Sequence, residues 1–251
     1  MTEQIKIDFE KTIKTSAFSE KDTEFKKDFL NKFIAKGFPS KKFENWKFLD
    51  LNQIIKKNIS KLSFYNDYSS SNKIDTSIFI DGFEHNKIFF INGKVEKIDF
   101  TFEDEDKIEI NEESKPQKKF ENNNSLIDLN SAFTNKSYKI LVKENYSFNK
   151  PLIVYHTTND KIKSKNINLR LEFELEQNSS LRLIDFFKDK SKNNFINIFY
   201  NFDLKKDAIL KNYKVDKTQN SNIKYSFNNI NQDENSVSET FILSAGSDFL
   251  K

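Results

Sequence analysis

The chain has 251 residues, enough to bury a sizeable core, and 41 basic against 38 acidic residues give a formal net charge of +3. Because the charges of both signs are interspersed, they do not form the clustered basic surface typical of nucleic-acid binding. Cys is absent, which excludes disulfides, thiolate metal ligands and cysteine nucleophiles within this sequence. The 27 Phe and 8 Tyr are too many large apolar groups for a disordered chain, so we expect a folded protein.

The start of the chain is charged and lacks the apolar segment of a secretory signal. The longest apolar runs, such as 88–91, are far too short to cross a bilayer. We therefore expect a cytoplasmic protein that contacts neither membrane nor nucleic acid.

Residues 1–60 are predicted to form a small helical domain. A helix is expected over 20–36, ended by Gly37 and Pro39, because large apolar side chains recur there every four residues, at Phe25, Phe29 and Phe33.

A second short helix is expected after Ser40, which can cap it, and a third amphipathic one over 49–59. The second carries Phe43, Trp46 and Phe48. Aromatic residues at helical spacing are much more often core than base-stacking groups, so Trp46 is predicted to be buried.

Residues 61–125 are predicted to hold short strands and a linker that is Lys-rich around Pro116. Turn dipeptides at 81–82 and 92–93 bracket an apolar segment, which indicates a hairpin or meander. The acidic residues of 103–106, with those at 112–113, resemble a metal site, but a solvated loop is the interpretation we adopt.

Residues 126–251 are predicted to form the core of a β-helix. Strands are expected over 138–143, 152–157, 168–176, 181–187, 196–203, 208–215, 223–228 and 237–243. Second strands begin near 152, 181, 209 and 237, and the gaps 181 − 152 = 29, 209 − 181 = 28 and 237 − 209 = 28 are nearly constant. A strand–turn–strand unit at this period indicates a solenoid, although a β-sandwich is a second possibility. Its apolar faces, such as Leu169, Leu171, Phe173 and Leu175, should point inwards.

The candidate functional side chains are few. His156 ends a predicted strand and could face a partner or an iron ion, but a lone His is more often structural. His85 is placed in a turn and expected to be solvated. Three carboxylates share one strand face, as in β-helical polysaccharide lyases and hydrolases, and are interpreted as a solvated surface: Glu172, Glu174 and Glu176. No catalytic, cofactor-binding or metal-binding residue is therefore predicted.

Several segments resemble the SufB/SufD family of iron–sulfur cluster assembly scaffolds. Residues 36–51, Lys-Gly-Phe-Pro-Ser-Lys-Lys-Phe-Glu-Asn-Trp-Lys-Phe-Leu-Asp-Leu, are similar to a signature near the start of SufD proteins. Residues 129–133, Leu-Asn-Ser-Ala-Phe, resemble the entry into the family's core, and 149–153 resemble one of its strands. Later segments follow in the family's order. Leu49 departs from the motif's usual Thr, and the strand at 223–225 lacks the His that the family often has there.

The resemblance implies an α+β chain, mainly β, with a small N-terminal helical domain followed by the first coils of a right-handed parallel β-helix. It also implies a scaffold, not an enzyme, that works with a SufB-like subunit and a SufC-like ABC ATPase. Family members run well beyond 251 residues, so those contacts are expected mostly beyond Lys251. The cluster would form at the level of the whole complex. A β-helical carbohydrate-active enzyme and a nucleic-acid-binding repeat protein are the alternatives.

Overall fold

A computed structural model describes residues 2–59, 61–67, 74–113, 124–217, 222–245 and 249–250. The linker predicted around Pro116 lies outside them. The chain is mainly β: a helical region precedes a β-solenoid, as the sequence predicts. Within the described residues, no helix combines the length and apolar character needed to cross a membrane.

The helices are α1 (Thr2–Thr15), α2 (Glu20–Lys36), α3 (Leu51–Asn58) and α4 (Ser125–Phe133). The prediction for α2 is confirmed. The Ser19 side chain accepts a hydrogen bond from the N–H of Asp22 at its start, and Gly37, at φ 69°, donates to the carbonyl of Phe33 at its end. Helix α1 was not predicted, and its buried residues include Ile5 and Phe9.

The predicted second helix is wrong. Only a 3-10 turn forms, over Glu44–Trp46, and its N-cap residue Phe43 makes no side-chain capping hydrogen bond. The N–H of Leu51 donates to the carbonyl of Pro39 (3.1 Å), which closes the intervening residues into a loop. Trp46 is buried, as predicted, but Phe48 is 83% exposed.

The solenoid consists of two six-stranded sheets. Sheet I has the strand order β11-β9-β7-β5-β1-β2, and sheet II has the order β12-β10-β8-β6-β4-β3. The strands are β1 (Asn86–Ile91), β2 (Lys94–Asp99), β3 (Ile108–Glu113), β4 (Ser137–Val142), β5 (Leu152–Thr157), β6 (Asn166–Leu175), β7 (Ser180–Phe187), β8 (Phe195–Leu204), β9 (Ile209–Lys217), β10 (Ile223–Gln232), β11 (Val237–Ala245) and β12 (Phe249–Leu250).

The strands from β4 to β11 form four coils, and each coil gives one strand to each sheet. Their neighbours are parallel and in register, for example Leu171 beside Tyr200. This confirms the predicted β-helix and excludes the β-sandwich. The predicted inward residues of β6 lie in the apolar core between the sheets, since Leu169, Leu171, Phe173 and Leu175 are at most 3% exposed.

The strands of the 61–125 segment belong to the same two sheets. The hairpin of β1 and β2 is confirmed, with Asn92 and Gly93 both at positive φ in its turn. β1 also pairs with β5 in parallel, and β3 pairs antiparallel with β4.

One row of solenoid turns uses left-handed backbone without glycine. Asn145, Asn178, Asp207 and Asn235 have φ between 56° and 58°. The N–H groups of the first three donate to carbonyls of the next turn at 2.9–3.1 Å. Asn and Asp tolerate this conformation better than other non-glycine residues, which explains how the coils turn in a chain with four Gly.

Two layers cover the outer faces of the sheets. The helical region packs on sheet II through an apolar cluster that includes Phe33, Leu129 and Phe195. Residues 74–80 pack on the first strands of sheet I.

Candidate functional site

A cluster of charged and polar side chains lies between the two sheets. We call it the interior cluster, and it consists of His156, Asp185, Tyr200, Lys214, Asp216 and Lys224. Nε2 of His156 lies 2.7 Å from Oδ1 of Asp185, and the hydroxyl of Tyr200 donates to the same oxygen at 3.0 Å. The imidazole ring stacks between Phe90 and Phe187. The fold therefore places the His156 ring inside the solenoid, in contact with Asp185 and Tyr200.

Two lysines extend the interior cluster towards the later coils. Nζ of Lys214 lies 3.7 Å from Oδ2 of Asp185 and donates to Ser226 and Asn228, each at 2.8 Å. Lys224 donates to Asp216 at 2.9 Å. The buried charges are thus compensated by opposite charges or by hydrogen bonds, as buried charges must be.

The electrostatics of the interior cluster follow from burial and from these contacts. Burial opposes ionisation of Asp185, but His156, Lys214 and Lys224 more than offset it and hold its pKa well below the usual range. Burial lowers the pKa of Lys214 to about 8, although Asp185 acts in the opposite direction.

The interior cluster joins side chains of five strands, from β5 to β10, and so fixes the packing of the coils. Its polar groups are used by one another, and no three His, Cys, Asp or Glu side chains of the described residues are grouped so as to hold a metal ion. Asp185 was not predicted as a site residue, although the sequence carries a signal for it. Asp185 occupies an inward position between Leu183 and Phe187, where the alternation of the strand requires an apolar residue.

The expectation that His85 is solvated is wrong. His85 is 3% exposed, and its Nε2 accepts a hydrogen bond from the Tyr155 hydroxyl at 2.8 Å while Nδ1 donates to the carbonyl of Phe83 at 2.9 Å. His85 is buried by a residue distant in the sequence, because β5 places Tyr155 beneath the turn that carries His85. Burial lowers the pKa of His85, which favours this neutral form.

The three strand carboxylates do not form a common solvated face. Glu172 is 5% exposed and accepts a hydrogen bond from Nε of Arg170 at 3.0 Å, so its predicted solvation is wrong. The helical region covers this part of sheet II. Glu174 pairs with Lys139 at 2.7 Å, and Glu176 lies past the strand, where it accepts the N–H of Glu144.

The acidic run is only partly the predicted solvated loop. Its residues 104–106 are exposed, but Glu103 is 9% exposed. The Glu103 carboxylate accepts four hydrogen bonds of 2.6–3.0 Å, from the side chains of Asn86 and Tyr146 and from the N–H groups of Asn149 and Lys150. It therefore ties the loop after β2 to the turn before β5.

Replacing Glu103 with Gln should lower the free energy of unfolding by about 1–3 kcal/mol, because an amide nitrogen would face donors in a buried site. Urea unfolding measures this. The matched control is Glu105→Gln in the exposed part of the same loop, where the change should be within about 0.5 kcal/mol. Equal losses in the two variants would contradict the role of Glu103.

A joint connects α4 to the outer face of sheet II. The Asn130 side-chain amide donates to the carbonyls of Leu169 (3.0 Å) and Asn197 (2.9 Å), one in each of two neighbouring strands. Nη1 of Arg170 donates to the Ser131 hydroxyl at 3.1 Å. Strand carbonyls are satisfied here by a side chain of the helix, which fixes α4 against two coils at once.

Two further contacts complete the joint. Trp46 packs on Tyr225, with ring centroids 5.9 Å apart. Lys26 of α2 is 2% exposed and donates to the carbonyl of Thr134 at the end of α4, at 2.5 Å. Burial lowers the pKa of Lys26 to about 7, with Asp22 acting against the shift and Arg170 adding to it.

This lysine makes stability depend on pH. Between about pH 7 and the unfolded-state pKa of about 10.4, the unfolded chain binds a proton at Lys26 that the folded chain lacks, so stability should rise with pH by up to about 1.4 kcal/mol per unit. Lys26→Met should reduce the slope measured by urea unfolding at pH 7.5 and 9, leaving the part that comes from Lys214, whose pKa is lowered to about 8. Lys27→Met, at the exposed neighbouring position, should keep the full slope, and an unchanged slope in Lys26→Met would refute the assignment.

No family model matches the chain, and no curated protein matches it.

Proposed function

We propose that the chain is a SufD-like scaffold subunit of a cytoplasmic iron–sulfur cluster assembly complex, and that it acts through protein–protein contacts without catalysing a reaction. Its partners in this proposal are a SufB-like scaffold subunit and a SufC-like ABC ATPase. The cluster is the product of the whole complex, and this chain binds no cofactor of its own.

The joint is the observation that carries the proposal. The two stretches with the most direct family resemblance, 36–51 and 129–133, meet there. Trp46 of the first packs on Tyr225, and Asn130 of the second binds two strand carbonyls. In a family with a helical domain before a β-helix, some side chains must hold the helices against the outer face of a sheet. The two stretches that resemble the family supply such side chains here, Trp46 and Asn130.

A role in contacts is also favoured by the state of the candidate catalytic groups. Glu172 and Glu174 are each ion-paired, and His156 is held by Asp185 inside the solenoid. A general acid or base must reach its substrate, and these groups are directed at other side chains. Because a solenoid hosts many functions, the joint and not the fold alone supports the proposal.

The proposal is tested by isolating the gene product that contains this chain from its own cells. A tag is added to the chromosomal gene, the protein is purified without oxygen, and co-purifying proteins are identified and quantified by mass spectrometry. We expect the SufB-like and SufC-like proteins in near-stoichiometric amounts. Purification of the folded protein without either one would overturn the proposal.

A further inference from the structure

One corner of the solenoid is rich in lysine. The segments 158–165 and 188–194 lead from sheet I to sheet II at this corner, and they lie side by side in neighbouring coils, where Lys163 pairs with Lys192. Paired residues of this kind are about 4.8 Å apart. We call the two segments the basic corner, because they contain two acidic residues and six lysines: Lys161, Lys163, Lys165, Lys188, Lys190 and Lys192.

Most of the positive charge of the basic corner is not compensated. Among the residues that the structure describes, Lys190 is the one lysine of the corner that makes an ion pair, with Asp75. Of the two acids of the corner, Asp189 is buried and accepts a hydrogen bond from Asn222. Only Asp160 is an exposed acid there. The lysines therefore outnumber the carboxylates that face them.

The opposite corner of the solenoid, where the chain returns from sheet II to sheet I, has a different charge pattern. Lysines lie there too, but they face carboxylates. Lys206 pairs with Glu234 of the next coil at 3.0 Å, and Lys205 pairs with Asp203 at 3.2 Å. The same fold thus brings opposite charges together at one corner and like charges together at the other.

Helix α1 adds a lysine beside the basic corner. Nζ of Lys11 lies 4.0 Å from the centre of the Tyr65 ring, and Nζ of Lys165 lies 5.9 Å from the same centre. Lys165 also donates to the Tyr65 carbonyl at 2.8 Å. Burial lowers the pKa of Lys165, Asp8 acts in the opposite direction, and the like charge of Lys11 adds to the shift. Positive charge therefore continues from the corner to the helical region.

The chemistry of the basic corner favours a ligand that is bound through charge alone. Both segments are described in full, and neither has an exposed large apolar side chain, since Ile162 packs against the core. Protein partners usually need an apolar or aromatic anchor, and binding in the plane of a membrane needs an apolar face. Lysines bind the phosphates of a nucleic acid without either.

We propose that the basic corner binds a single-stranded nucleic acid through its phosphates. The exposed lysines of the two coils contact successive phosphates, and the strand continues towards Lys11. The sequence predicts no nucleic-acid contact because its charges are interspersed, but the coils bring together lysines that are 192 − 163 = 29 positions apart. This inference goes beyond the proposed function and does not depend on it.

The probe for the test is a fluorescent single-stranded DNA of mixed sequence and about 20 nucleotides, long enough to span the corner. Its binding to the full chain is followed by fluorescence anisotropy between about 50 and 200 mM salt. We expect saturable binding that weakens as salt rises. In the double variant Lys163→Gln, Lys192→Gln, the affinity should fall roughly tenfold, and the slope of log affinity against log salt should become shallower by about 1.4, because each phosphate contact contributes about 0.7.

The matched control is the double variant Lys205→Gln, Lys206→Gln, which removes the same charge at the opposite corner. Its affinity should stay within about threefold of the wild type, and its salt slope should not change. Circular dichroism checks that both double variants are folded.

Four results would overturn the proposal. The first is the absence of saturable DNA binding at the lowest salt, and the second is an equal loss of affinity in the two double variants. The third is tighter binding to vesicles that contain phosphatidylserine than to the DNA, which would mean that the corner meets a membrane surface. The fourth is displacement of the DNA by polyglutamate at equal charge concentration, which would mean that an acidic protein occupies the corner.

Discussion

Replacing Asp185 with Asn should lower the free energy of unfolding by about 3–5 kcal/mol, the usual cost of removing one member of a buried ion pair. In the wild type, one carboxylate serves His156, Tyr200 and Lys214 inside the solenoid. An amide of the same size is uncharged and presents a donor to these groups. Lys214 would remain buried without its counter-charge. Urea unfolding at pH 7 measures the loss.

The control for this variant is Asp233→Asn, because Asp233 is exposed and its ion pair with Lys205 is long, at 3.9 Å. Its replacement should lower the free energy of unfolding by less than about 1 kcal/mol. The loss of stability at acid pH provides a second test. The folded-state pKa of Asp185 is depressed, so its contribution is present above the unfolded value of about 3.9 and is lost as pH falls below it. That part of the acid sensitivity should vanish in Asp185→Asn, and its persistence would contradict the assignment.

Replacing Trp46 with Ala should cost about 3–5 kcal/mol, because it removes a large buried ring from the apolar cluster between the helical region and sheet II. The loss should be felt at the joint, since Trp46 packs on Tyr225 of β10. We expect hydrogen exchange to accelerate most in the helical region.

Phe48→Ala is the matched control two residues away. Its ring is 83% exposed, so the free energy of unfolding should change by less than about 0.5 kcal/mol. A similar loss in both variants, or a Trp46→Ala protein whose helical region exchanges as in the wild type, would show that the joint does not depend on this ring.

Periodicity was enough to predict the solenoid. The near-constant spacing of second strands fixes the coil length, and strict alternation, as at Leu169, Leu171 and Phe173, fixes which face is inward. Every coil repeats the same local pattern, so errors at single residues do not accumulate. The turns are also visible in the sequence, because Asn178, Asp207 and Asn235 recur about once per coil at the positions of left-handed backbone where Gly would be usual.

Tertiary cover was what the sequence could not provide. Glu172 alternates like a surface residue, and only the packing of α4 on sheet II buries it. His85 is flanked by turn residues, yet Tyr155, far along the chain, binds it. Phe48 shows the opposite error: it was predicted on a short helix with Trp46, but that helix does not form and the Phe48 ring is exposed. Burial at these positions depends on which elements meet, and local patterns do not encode that.

The most direct test of the central claim, that the chain contributes contacts and leaves the cluster to the complex, is anaerobic reconstitution with iron and sulfide. Visible absorbance and bound iron are measured for residues 1–251 alone and for the purified complex with the SufB-like and SufC-like proteins. We predict cluster absorbance in the complex and none at stoichiometric level in the chain alone. The chain has no Cys, and its two His are buried and contact Tyr155 and Asp185. A stoichiometric cluster on the chain alone would contradict the account, and so would a complex that assembles clusters equally well without it.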